Sequence, residues 1–176
     1  MNKTLRLFIA VELPEKLTMR LSLIQSSIAH MRWNKRLHLT LRFLGDKTEE
    51  QFEEIQEALT AAEEKPFSLT IKGTGVFVRE DGVILWAGVE PSDGLLSLKK
   101  GIDKALRQAG LFPEKKFTPH ITLGRGRNPG HEALKTFVEQ AEALEEEFLV
   151  SHFTLFKSIL QPGGAKHITL ADYELI

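Results

Sequence analysis

One tetrapeptide, histidine followed by a hydrophobic residue, threonine and leucine, occurs four times: His38-Leu39-Thr40-Leu41, His120-Ile121-Thr122-Leu123, His152-Phe153-Thr154-Leu155 and His167-Ile168-Thr169-Leu170. With six histidines in the chain, roughly 0.4 His-x-Thr pairs are expected by chance, so template counting gives an excess of about tenfold. In an extended chain, residues two apart project from the same face, so each histidine stands beside its threonine. Imidazole gives or takes a proton near neutral pH, and a threonine hydroxyl is a short donor suited to a phosphate oxygen. Two such strands facing each other can grip one phosphate from both sides. A lone His-x-Thr is ordinary strand packing, so the chemistry lies in the pairing.

Charge distribution selects the pair. The chain carries a net charge of −1, which argues against a protein that coats nucleic acid through a basic exterior. Residues 31–45 nevertheless hold Arg32, Lys35, Arg36 and Arg42 with no acid, and residues 115–130 hold Lys115, Lys116, Arg125 and Arg127 with no acid. His38 and His120 lie inside these windows, each preceded by a basic doublet. Local concentration of this kind suits a small anion or the end of a polyanion. His152, in an extended apolar run, and His167, near Asp172 and Glu174, lack the setting and read as strand histidines. His38 and His120 are 82 residues apart, close to half of the 176-residue chain, the spacing that duplication of one lobe leaves.

Other chemistries find little support. Without cysteine there is no thiolate nucleophile, disulfide or sulfur-based zinc site, and a reducing cytoplasm fits. No His-x-His or His-x-x-x-His spacing occurs, and threonine is a poor ligand for metals that favour imidazole, so no metal is expected. Ser158 has no G-x-S-x-G context. The acidic stretch from Glu139 to Glu147 reads as a solvated helix face. No apolar run approaches the about 18 residues of a membrane span, and no cleavage site follows the opening apolar run.

The elements that must position these residues alternate throughout. A strand at 5–11 leads to a helix at 14–30 that Pro14 opens, then a strand at 36–43. Thr48 and Gln51 form a capping box for a helix at 49–63. Strands at 67–78 and 83–89 flank Asp81-Gly82, and a helix at 92–109 ends at Gly110. A strand at 118–123, a helix at 131–146 and strands at 148–159 and 166–174 complete the chain, with Gly163-Gly164 turning between the last two. No linker divides it, and its length holds one sizeable core or two small lobes sharing one.

These residues resemble the 2H phosphoesterase superfamily, defined by two His-x-Thr-x motifs, and within it the 2′-5′ RNA ligase branch, described as RNA 2′,3′-cyclic phosphodiesterases. RLFIAVELP is similar to that branch's opening strand, RWNKRLHLTLRFLG to its first motif, FTPHITLGR to its second and LFKSILQPGGAKHITLADYEL to its closing hairpin. His167 stands where the family usually has tyrosine, which marks it as a decoy for the motif while leaving open a contact with substrate.

The resemblance implies an α+β fold spanning residues 1–176 as a single bilobal domain, with two pseudo-twofold-related antiparallel sheets backed by helices and a central cleft. It implies His38 as proton donor, His120 as proton acceptor and Thr40 and Thr122 as holders of the non-bridging oxygens. The implied reaction opens a terminal 2′,3′-cyclic phosphate to a 2′-phosphomonoester without metal or cofactor. The same histidines can run the reverse, ATP-independent 2′-5′ joining of RNA. Expected partners are RNA ends with a 2′,3′-cyclic phosphate, or cyclic nucleotides, and no membrane, with the chain a cytoplasmic monomer. From the residues themselves, Arg125 and Arg42 are candidate phosphate contacts, and Trp33 and Phe8 candidate stacking partners for a terminal base. The competing reading is a non-catalytic module that binds RNA ends or nucleotides, which would not need two titratable groups.

Overall fold

The computed structural model describes residues 3–25, 27–114 and 116–176, so Lys115 of the second basic doublet lies outside the described residues. Chain order is β1 (Leu5–Glu12), α1 (Glu15–Gln25), β2 (Arg32–Trp33), β3 (His38–Lys47), α2 (Glu49–Leu59), β4 (Phe67–Arg79), β5 (Gly82–Val89), α3 (Asp93–Leu106), β6 (His120–Gly126), α4 (His131–Gln140), β7 (Glu145–Val150), β8 (His152–Gln161) and β9 (Gly164–Glu174). The local signals act as chemistry dictates. The Thr48 side chain accepts from the Gln51 backbone while the Gln51 side chain accepts from the Thr48 backbone, closing the capping box on α2. Gly110, at φ 72°, ends the 3-10 turn after α3 in a conformation that a side chain would oppose.

The strands form two antiparallel sheets, ordered β3-β1-β8-β9 and β2-β6-β5-β4-β7. Apart from the short β2, the orders match, with β3, β1, β8 and β9 corresponding to β6, β5, β4 and β7. The chain order matches too: β1-α1-β3-α2 in one lobe and β5-α3-β6-α4 in the other. One buried cluster runs across both lobes, including Ile9 and Leu39 from one sheet and Leu85 and Ile121 from the other. On the opposite face of the first sheet, Phe8, Ala10 and Phe156 form a separate small cluster. Strand β1 reads as an unbroken apolar run because each of its faces meets one of these clusters. Among the described residues, no helix is long and apolar enough to cross a membrane.

Three expectations are corrected. The helix placed at 131–146 ends at Gln140, and Glu145, Glu146 and Glu147 lie on β7, where Glu145 pairs with Lys72 at 3.3 Å. The strand placed at 148–159 is two strands with Ser151 between them: β7 pairs with β4 in one sheet, and β8 pairs with β1 and β9 in the other. Side-chain alternation continues through such a crossing, so it does not reveal the change of sheet. The first helix stops at Gln25, ahead of the short strand β2.

Arg42 is the fourth correction. The β1–β3 pairing shifts between Ile9 and Ala10, with Ala10 opposite Thr40 and Ile9 opposite Arg42. The extra residue, Leu41, turns Arg42 to the core side, away from Thr40. There Arg42 is 5% exposed, bonded to Asp103 of α3 at 2.5 Å and to the Phe112 carbonyl, and Lys99 shares Asp103 at 2.6 Å. Arg42 therefore fastens α3 and the segment leading toward His120 onto the first-motif strand, on the core side and turned away from the cleft. Breaking a buried ion pair is costly; Arg42→Ala is expected to lose about 3 kcal/mol of stability in urea denaturation, against about 0.5 kcal/mol or less for the exposed Arg125→Ala. Equal losses would contradict this assignment.

Candidate active site

His38 begins β3 and His120 begins β6, and these two strands lie against each other across the gap between the sheets. The same local device orients both rings. His38 Nδ1 lies 2.9 Å from the Arg36 carbonyl and His120 Nδ1 lies 2.8 Å from the Thr118 carbonyl, each two residues upstream. A carbonyl can only accept, so Nδ1 carries the hydrogen in both rings and Nε2 is left to react. Opposite residues in antiparallel strands share a face. Glu12 stands opposite His38 and Ala10 opposite Thr40, while Gly88 stands opposite His120 and Trp86 opposite Thr122. Each histidine is thus paired with its threonine on the cleft side, and Leu39, Leu41, Ile121 and Leu123 fill the core behind.

The β5–β6 pairing shifts between Leu85 and Trp86, at the position matching the shift beside Arg42. After it Gly124, opposite Leu85, faces the core, and Arg125, opposite Ile84, faces the cleft. Arg125 accordingly stays with Thr122. In the other lobe its counterpart is Phe43, opposite Phe8 and 66% exposed. Arg42 corresponds to Gly124, which is why the two arginines, though similarly placed after their threonines in the sequence, part company.

A pair of amides clamps the two motif strands together. Asn34, between β2 and β3, donates its backbone N–H to the Leu123 carbonyl at 2.8 Å and its side-chain Nδ2 to the Thr122 carbonyl at 2.9 Å. Gln25 at the end of α1 donates to Leu123 and to Asn34 itself. A residue four positions before His38 is thereby fixed to the strand that carries His120. Neither amide stood out in the sequence, because nothing in its local pattern distinguishes it from a loop residue.

Around His38 the environment is aromatic. Phe8 lies 5.0 Å from the His38 ring and 5.1 Å from Phe156. At 3% exposure Phe8 is the floor beneath His38 and not an accessible base-stacking platform, which corrects that expectation. His167 stands edge-on to His38 with ring centroids 5.1 Å apart, and its own Nδ1 is buried with no partner among the described residues. The supposed decoy is therefore a neighbour of the catalytic candidate. His167 faces Ser158, and Thr169 faces Phe156, on the same side as Phe8. Arg36 ties this corner together, bonding Glu12, the His167 carbonyl at 3.2 Å and the Thr169 hydroxyl at 3.0 Å, with its guanidinium over Phe156. Burial pushes the His38 pKa down to about 4, with the backbone bond to Arg36 opposing and the charges of His167 and Arg36 adding to the fall.

The second lobe sets Phe77 edge-on to His120 at 5.1 Å and against Trp86 at 5.2 Å. Trp33 belongs elsewhere. It pairs with Gly124 on the core side of the sheet and packs against the main core; a Cβ at Gly124 would lie 2.5 Å from its ring. It does not stand where a terminal base could stack. His152 stands on the face of His38 through Glu12, and Glu12, His152 and Asp172 bring one ligand atom each within 4.8 Å of one another. Tertiary contact between three strands creates this candidate cation cluster, and sequence spacing cannot reveal it. Its carboxylates already accept from Arg36 and from the Thr154 hydroxyl.

The low pKa of His38 has a consequence for stability. Between pH 6.5 and about 4 the unfolded chain binds a proton at His38 that the folded protein refuses. Folded stability from this group is full above pH 6.5 and is lost as pH falls through that window. His38→Gln, which cannot titrate, is expected to flatten the fall in denaturation midpoint between pH 6.5 and 4; an unchanged slope would contradict the buried, neutral state of His38.

Comparison with known proteins identifies the family and the fold. The family model of the 2′-5′ RNA ligase superfamily matches residues 14–160. The RNA 2′,3′-cyclic phosphodiesterase of Methanothermobacter thermautotrophicus is 29% identical, with 97% of this chain and 98% of that one covered. The protein of that name from Thermotoga maritima is 32% identical, with 91% and 90% covered. A crystal structure from Thermus thermophilus superposes with a TM-score of 0.78 at 29% identity, covering 97% of both chains. E. coli LigT complexed with 3′-AMP shares the fold at a TM-score of 0.77 and 24% identity, covering 98% of this chain and 99% of that one. With two His-x-Thr strands facing across two matched sheets, and the family model spanning most of its length, the chain belongs to the 2′-5′ RNA ligase superfamily.

Proposed function

We propose that this protein is an RNA 2′,3′-cyclic phosphodiesterase, which opens a terminal 2′,3′-cyclic phosphate to a 2′-phosphomonoester. The observation that carries the reading is the matched pair of imidazoles, each with Nδ1–H tied to a carbonyl and Nε2 left to react, on facing strands. Full-length relatives bearing that name support it.

The chemistry follows from the parts. A water attacks phosphorus and gives its proton to His120 Nε2, while the bond from phosphorus to the 3′-oxygen breaks and that oxygen takes a proton from His38 Nε2. Hydroxyls of Thr40 and Thr122 donate to the two non-bridging oxygens, where charge builds as the ring opens. One imidazole must be neutral and the other charged, and after turnover a proton passes back through solvent.

Burial leaves His38 neutral in the free protein at pH 7, with its pKa near 4. An acid in that state must take up its proton as substrate arrives. A phosphate anion beside the ring favours the charged form, offsetting the desolvation that lowers it. Substrate thus recruits the proton that its own cleavage consumes.

Two measurements test these roles. His38→Ala and His120→Ala should each lower kcat by at least about 100-fold, with the double variant scarcely worse than either single, because groups acting in one concerted step are not additive. Multiplied losses would indicate two independent binding contacts. The alkaline fall of kcat, which reports the substrate complex, should lie at clearly higher pH than that of kcat/KM, which reports the free protein. Coincident limbs would remove His38 from the acid role.

A further inference from the structure

Beyond the histidine pair, β6 runs into a second feature that the reaction does not use. A cavity of about 1300 Å³ opens at the far end of the second sheet, between the residues before β2, the β4–β5 turn and the start of α4. Its lining includes Arg32, Arg79, Arg125 and Arg127.

Three observations mark this groove as built for an anion. All four arginines are exposed, and among the described residues none forms an ion pair, although Asp81 and Glu132 line the same cavity. No residue outside the described ones is acidic, so none could supply the missing partner. Arg32 and Arg125 stand directly opposite each other on paired strands, a like-charge arrangement that destabilises a sheet unless something neutralises it. His30, also in the lining, holds φ 61°, the left-handed region that a non-glycine residue enters at a cost. A sequence that breaks local rules at neighbouring positions points to function there.

Arg125 links the groove to the cleft face of the second motif. Arg125 shares the cleft face with Thr122 and also lines the groove, about 16 Å along the strand from His120 at the rise of extended chain. In the matching place on the other lobe stands Phe43. The cleft is therefore polar in direction, with guanidinium groups leading away from the second motif and an aromatic ring beyond the first. A cyclic phosphate at the 3′ terminus of RNA has all remaining phosphates on one side of it, so a one-sided basic track fits such a strand. Guanidinium forks match phosphate oxygens in geometry and charge. The β4–β5 turn lies so close to β6 that a Cβ on Gly82 would meet the Gly126 carbonyl at 2.3 Å, so the two backbones pack directly beneath the groove.

Resting on the phosphodiesterase reading, we infer that this groove is a second RNA subsite, which holds the phosphodiester backbone of the nucleotides preceding the terminal cyclic phosphate. The protein would then prefer an RNA end to a free cyclic nucleotide.

The test compares an oligoribonucleotide of about six residues ending in a 2′,3′-cyclic phosphate with 2′,3′-cyclic AMP, in the wild type and in Arg79→Gln/Arg127→Gln. The wild type should favour the oligonucleotide by about tenfold or more in kcat/KM at low salt, with a log–log salt slope steeper by about 0.7 per additional phosphate held. The double variant should lose most of that preference and keep kcat/KM for cyclic AMP within about twofold, since surface arginines away from the reacting phosphate act on binding alone. Equal wild-type rates on both substrates, or a loss that falls alike on both, would overturn the subsite. Fluorescence anisotropy with the same oligonucleotide ending in a plain 3′-hydroxyl separates the two readings. Binding weakened about tenfold by the double variant, in a protein that hydrolyses neither substrate, would sink the phosphodiesterase reading and leave the groove standing. Hydrolysis with unchanged binding and unchanged preference would sink the groove alone.

Discussion

The geometry of this protein depends on one short tether. Arg32 and Trp33 pair with Arg125 and Gly124 in the second sheet, Asn34 binds the Thr122 and Leu123 carbonyls, and His38 opens the first sheet four residues later. Few residues separate the two attachments, so the first-motif strand has little freedom to lie anywhere except against the second. Residues far apart in sequence meet because the chain crosses between the sheets at this point. A later crossing, at Ser151 between β7 and β8, carries the chain from the edge of the second sheet into the interior of the first. Together these crossings make two lobes that share one core.

Within that frame the two lobes share one plan and differ where it matters. Strand order, the register shift after each threonine and the bond from Nδ1 to the upstream carbonyl are common to both. The surroundings differ. His38 sits over Phe8 with His167 and Arg36 beside it, in an environment that resists a positive charge. Phe77 stands edge-on to His120, and Arg125 faces the same cleft. Acid–base catalysis needs two groups in different protonation states, and a symmetric fold supplies them only if its copies are solvated differently. The difference between the lobes is therefore part of the mechanism proposed for this chain.

The register shifts also explain why nearby residues have unrelated duties. One extra residue in β3 sends Arg42 into the core, where it binds Asp103, and brings Phe43 into the cleft. The same insertion in β6 hides Gly124 beneath Trp33 and leaves Arg125 beside Thr122. A bulge reverses the facing of everything after it without altering the composition of the strand. Trp33 is core, and Phe8 is the floor of the site, for related reasons of facing and depth.

What the sequence determined by itself was everything carried by local pattern. The fourfold His-x-Thr repeat, the two acid-free windows, the capping box at Thr48 and the turns at Gly82 and Gly163 each arise from neighbours within a few positions, where sterics and hydrogen bonding act directly. The choice of His38 and His120 rested on charge in the same short windows. Tertiary structure alone decided which way each side chain faced past a bulge, that residues 145–161 divide between two sheets, and that His167 touches His38. It also gathered Arg32, Arg79, Arg125 and Arg127 around one groove from three separate segments. These outcomes depend on which strands pair and in what register, and a strand's own residues leave that open until another strand lies beside it.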